Sequence, residues 1–153
     1  MSIAQFIKPE NIVISATAGS KSEVFDELVT SLVNSGVLDK DDKELLVKKL
    51  EEREALSTTG VGEGIAIPHA SLGTIKETVI ALGITAKSID FSSVDSEPVN
   101  VIFMIIGSQN VPRQHIQILA KIVRLCKNKD LMKTIRNGSS QKEILEAIRM
   151  VES

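Results

Sequence analysis

Apolar residues fall at helical spacing in some stretches of the chain and in short continuous runs in others. Ile3, Phe6 and Ile7 form a short amphipathic piece ending near Pro9, and Asn11 to Ile14 reads as a first strand. Ser20-Lys21-Ser22-Glu23 fits a capping box, followed by Val24, Phe25, Leu28, Val29 and Leu32 on one helical face. That helix should run to about Ser35 and stop at Gly36. Asp39 can cap a second helix with apolar positions Leu45, Leu46 and Leu50, ending near Arg53 or Glu54. Ile65-Ala66-Ile67 reads as a very short buried strand that Pro68 keeps from extending, so that His69 stands where a strand leaves a sheet.

Glu77 to Thr85 is a predicted strand, and Ile89-Asp90-Phe91 a short edge piece. Val99 to Ile106 is the strongest strand, apolar throughout its second half and so expected to be covered on both faces. Asn110 then caps a helix with Pro112 near its first turn and His115, Leu119, Ile122 and Cys126 on one face. Asp130 to Arg136 forms a short helix ended by Asn137-Gly138. Ser140-Gln141-Lys142-Glu143 caps the last helix, which carries Ile144, Leu145 and Ile148. Strands interleaved with helices indicate an α/β fold, a single-domain sandwich spanning residues 1–153 with helices packed on a central sheet.

Composition narrows the function classes. The chain has 153 residues, 42% apolar and 25% charged, which suits one soluble domain with a real core. A net charge of −2, with neither Trp nor Tyr, argues against a nucleic-acid surface. The longest apolar run, Val101 to Ile106, is too short to span a bilayer, and the first residues do not resemble a secretion signal. The expected location is the cytoplasm, without direct membrane insertion. A lone cysteine, Cys126, excludes an internal disulfide and reads as inert packing.

The candidate chemistry lies in Thr58-Thr59-Gly60-Val61-Gly62-Glu63-Gly64-Ile65-Ala66-Ile67-Pro68-His69, which holds three of the nine glycines and one of the two histidines. A histidine at a strand end beside a glycine-rich loop sits where rigid scaffolds carry function, although a lone histidine is more often structural. No Gly-Lys-Ser/Thr closes a nucleotide loop and the spacing is not Gly-x-Gly-x-x-Gly, so nucleotide binding fits poorly. His115 is either a satisfied core histidine or a partner to His69. In a first helical turn the dipole disfavours its imidazolium, and a neutral ring could donate to an oxyanion. Arg53, within Glu51-Glu52-Arg53-Glu54, is either a solvated helix end or a guanidinium clamp for phosphate or carboxylate oxygens. A competing reading joins His69, His115 and Glu63 as a three-ligand zinc site, though no His-Glu-x-x-His spacing supports it.

Arg53 followed by Ser57-Thr58-Thr59-Gly60-Val61-Gly62-Glu63-Gly64-Ile65-Ala66-Ile67-Pro68-His69 closely resembles the active-site signature of type-2 enzyme IIA domains. These belong to the fructose/mannitol and nitrogen-regulatory branches of the bacterial phosphoenolpyruvate-dependent phosphotransferase system. His115-Ile116-Gln117-Ile118-Leu119-Ala120-Lys121-Ile122 likewise resembles the family's His-Leu-x-x-Leu-Ala-Lys segment. The resemblance covers nearly the whole chain and implies a mixed sheet flanked by helices. It implies a phosphocarrier in which His69 takes a phosphoryl group from phosphorylated HPr and passes it to an enzyme IIB cysteine. The nitrogen-type alternative is a regulatory phosphoprotein acting on a protein target. Arg53 and His115 match the residues that contact or orient the phosphoryl group. Thr59, Gly60, Gly62 and Gly64 would form a phosphate loop whose amides approach its oxygens. No metal or nucleotide cofactor is implied, because the phosphate arrives already activated. Exchange between two protein partners calls for a shallow apolar rim, for which Val61, Ile65, Ile67 and Val111 are candidates.

Overall fold

The structure, a computed structural model, describes residues 2–153. Its centre is a mixed six-stranded sheet. The strands are β1 (Ile12–Ala16), β2 (Gly60–Gly62), β3 (Ile65–Ala66), β4 (His69–Leu72), β5 (Val79–Ile89) and β6 (Val99–Ser108). Their order is β1-β5-β6-β3-β2, with β4 also beside β6. β5 runs antiparallel to β6, whereas β3 and β4 run parallel to it. The helices are α1 (Lys21–Asn34), α2 (Lys43–Leu56), α3 (Gln114–Leu125), α4 (Lys129–Asn137) and α5 (Gln141–Glu152).

The sheet separates two apolar layers, and β6 feeds both by strand alternation. Val101, Phe103 and Ile105 point into the layer formed with α3, α4, α5 and Ile3, Ala4 and Ile7. Ile102, Met104 and Ile106 point the other way, toward α1 and α2. All six are essentially inaccessible to water. The α/β sandwich expected from the sequence is the observed fold.

Several boundaries differ from expectation. β5 runs on to Ile89, which pairs with Val99, so the separate edge piece is the end of a long strand; Phe91 beyond it is buried. The Asp39 carboxylate accepts from the Asp41 amide and caps a 3-10 turn, Lys40–Asp42, that precedes α2. α2 itself continues to Leu56, and Leu45 lies on its exposed side. Asn110 caps nothing: its amide donates to Ser108 Oγ, and Arg113 precedes α3 without a side-chain cap.

Pro68 does not end the pairing along β6. Its carbonyl accepts from the Ile105 amide at 2.9 Å, and the ladder resumes with His69 opposite Ile105. A proline lacks only the donor, and at this edge its nitrogen needs no partner strand. His69 therefore begins a strand rather than following one.

The glycine-rich stretch folds as the tight β2–β3 hairpin. Glu63 and Gly64, its two turn residues, have φ of 56° and 80°, as primed hairpin turns require. Gly60 lies against Ser93, where an added Cβ would come within 2.3 Å of Ser93 Oγ and 3.0 Å of its Cα. Gly60→Ala is therefore expected to destabilise the protein by about 1–3 kcal/mol through overpacking. Urea unfolding checks this, and unchanged stability would show that the hairpin can shift.

Candidate functional site

His69, His115, Arg53 and Lys49 line one open hollow of about 240 Å³, together with Ala70, Ser71 and Gly107. Three elements converge on it. β4 supplies His69, paired beside Ile105 on β6. β6 ends at Ser108, and the following loop returns the chain so that His115 lies in the first turn of α3. The last two turns of α2 supply Lys49 and Arg53, four residues apart and hence on one face.

The His69 ring folds back on its own backbone, with Nδ1 3.1 Å from the Ile67 carbonyl oxygen. A carbonyl can only accept, so the proton sits on Nδ1 and the lone pair on Nε2. The two imidazoles lie 6.2 Å apart, centre to centre, at 24° to each other. Burial lowers the His69 pKa below 6.5, with the Arg53 charge and His115 acting the same way. The Ile67 hydrogen bond and Glu54 oppose the shift. The site thus favours a neutral ring with a nucleophilic nitrogen.

Arg53 is half-buried and folds over the end of its helix, with Nη1 donating to the Ser57 carbonyl at 3.1 Å. Glu54, which sequence reading treated only as part of a charged patch, is buried and fully employed. It accepts from the Thr59 amide at 2.9 Å, from Thr59 Oγ1 at 2.6 Å and from Lys21 Nζ at 3.0 Å. This ties the entry to the hairpin onto the end of α2 and so fixes the turn that carries Arg53. Lys49 also went unnoticed in the sequence. Its signal is the four-residue spacing to Arg53, which has meaning only once α2 is known to pass His69.

Thr59, Gly60, Gly62 and Gly64, expected to form a phosphate loop, are not among the residues that line this hollow. Thr59 is held by Glu54, and the Gly60 amide takes Thr58 Oγ1. Gly62 faces Asp95 and Gly64 faces Arg136. Their immediate role is to shape the hairpin preceding β3. Ile65 and Ile67 are core residues, each 2% exposed, and form no rim; Val61 and Val111 are exposed. Ile116, next to His115, is also exposed.

Glu63 does not join the histidines. Its amide donates to Asp95 and its carbonyl accepts from Arg136. Among the described residues no three His, Cys, Asp or Glu side chains assemble as metal ligands. Cys126 is buried, which pushes its thiol up to about 12. It is a packing residue. Among the described residues no helix is long and apolar enough to cross a membrane.

A mixed-sheet sandwich that presents two imidazoles and two cations at one hollow suits handling of an anionic group. The sequence places it further: residues 5–150 match the family of the phosphoenolpyruvate-dependent sugar phosphotransferase system, EIIA 2, and the chain belongs to that family. It is 32% identical to the mannitol-specific phosphotransferase enzyme IIA component of Geobacillus stearothermophilus, over 95% of this chain and 96% of that one. It is 30% identical to the fructose-specific EIIABC component of Bacillus subtilis over 97% of its own length, but spans only 23% of that larger protein. The crystal structure of nitrogen regulatory protein IIA-Ntr from Neisseria meningitidis superposes with a TM-score of 0.85 at 27% identity, covering 95% of this chain and 98% of that one.

The electrostatics of the hollow can be measured. An NMR titration of His69 is expected to give a pKa below 6.5, and Arg53→Gln should raise it by removing a nearby positive charge. A wild-type value at or above 6.5 would contradict the burial argument.

Proposed function

We propose that this chain is a phosphocarrier that accepts a phosphoryl group on His69 Nε2 from phospho-HPr and passes it to an enzyme IIB cysteine during sugar uptake. The observation that carries the reading is the His69–Ile67 hydrogen bond, which leaves the Nε2 lone pair at a hollow shared with Arg53 and His115.

The chemistry needs positioning and charge stabilisation more than covalent help. As Nε2 bonds to phosphorus, the donor's bond to phosphorus breaks, and the proton stays on Nδ1, which keeps donating to the Ile67 carbonyl. Positive charge gained by the ring is thereby stabilised. In the second step the enzyme IIB thiolate attacks phosphorus and the imidazole leaves neutral. Arg53 offsets the phosphoryl charge with the guanidinium nitrogens not given to Ser57. His115 donates to a phosphoryl oxygen or orients the group. The start of α3 lacks a side-chain cap, so its first amides add positive potential beside the same oxygens. No resident metal or nucleotide enters either step. Val111 and Ile116, exposed near His115, supply apolar contact for partners on that side. The work is cytoplasmic, where the donor is made.

A second reading has an observation of its own. The Neisseria structure named as nitrogen regulatory protein shares the fold over nearly the whole chain. On that reading the same phosphorylation of His69 governs binding to a regulatory protein target. Transfer to an enzyme IIB separates the two.

The test is a relay of phosphoenolpyruvate, enzyme I, HPr and this protein, with the phosphate mapped by acid lability and mass spectrometry. Label is expected on His69 and none in His69→Ala; label retained in that variant would sink the assignment. His115→Ala should still accept phosphate but transfer it more slowly, on the order of 10²-fold if His115 donates to the transferring group. Wild-type rates there would return His115 to a packing role.

A further inference from the structure

Lys49 is half-buried on the wall of the His69 hollow. Two lysines on α1 and α2 are matched by carboxylates, whereas Lys49 is set apart from exposed Lys48 by its place in the hollow. Lys21 lies 3.0 Å from Glu54, and Lys43 lies 3.0 Å from Asp26. Among the described residues Lys49 and Arg53 have no such partner. Like charges four residues apart on one helix face repel each other in the resting protein. That repulsion is offset when an anion enters.

A phosphoryl group near neutrality carries roughly 1.5 to 2 negative charges. Arg53 supplies one positive charge and has already committed one nitrogen to Ser57. We propose that Lys49 is the second cation of the phosphorylated site, its ammonium binding the phosphoryl oxygens on His69 from the α2 side. The inference rests on His69 being the phosphoacceptor and adds a positioning cation to that reading. A flexible four-carbon stem lets the ammonium follow the group as it arrives and leaves.

Dependence on charge and salt gives a signature that loss of packing would not reproduce. HPr and the full-length protein are equilibrated after phosphorylation by phosphoenolpyruvate and enzyme I, and the phosphoryl share on each is read by phosphorus NMR. Lys49→Gln is expected to shift the equilibrium from His69 toward HPr by about two- to fivefold, the range of a partly exposed ion pair. Lys49→Arg should restore it, and added salt should narrow the gap between wild type and Lys49→Gln. The unfolding midpoint should not move in Lys49→Gln. An unshifted equilibrium, or a shift that Lys49→Arg fails to rescue, would overturn the proposal. A wild-type chain that takes no phosphoryl group removes the phosphocarrier reading together with this inference. Normal wild-type phosphorylation with an unmoved Lys49→Gln equilibrium removes the inference alone.

Discussion

Burial of β6 on both faces is the constraint from which the rest follows. Val101, Phe103 and Ile105 anchor one helical layer, while Ile102, Met104 and Ile106 anchor the other, so the strand cannot slip by one residue without exchanging its two faces. Everything at the candidate site is registered against it. The Ile105 amide takes the Pro68 carbonyl, which sets His69 opposite Ile105. The end of the same strand launches the loop into α3, which brings His115 to the same hollow. Two histidines 46 residues apart thus meet because both are tied to one strand.

The third wall is held by a different interaction. Buried Glu54 binds Thr59 through two hydrogen bonds and pairs with Lys21, joining the end of α2, the start of the hairpin and the first turn of α1. A buried carboxylate with every partner in place is a firm local clamp, and it is costly to leave half-made. It lies one residue from Arg53, so helix end, guanidinium and imidazole are fixed relative to one another. The hollow then combines a neutral, partly desolvated imidazole with cations lacking counter-ions, a balance suited to a transient anionic guest.

Much was legible in the sequence. Ser20 and Ser140 cap their helices, accepting from the Glu23 and Glu143 amides, because capping depends on residues three apart. The two apolar layers could be expected from the unbroken run in β6. His69, His115 and Arg53 stood out through motifs that resemble a known family. Less legible was anything whose meaning depends on a distant partner. The glycines read as an anion loop, but Ser93, Asp95 and Arg136 surround them, and a tight turn uses them. Ile65 and Ile67 read as rim residues and are core, because β3 lies against β6.

The sequence by itself determined most of the elements, the caps of α1 and α5, the two-faced central strand and the candidate residues of the site. These follow from side-chain spacing and local hydrogen bonding, which act over a few residues. Only the tertiary structure decided which nitrogen of His69 keeps its lone pair, that the glycines serve a hairpin, and that Lys49 shares the hollow. Each depends on a carbonyl, a packed side chain or a helix face placed by the sheet. Contacts of that kind exist only after the chain has closed around β6.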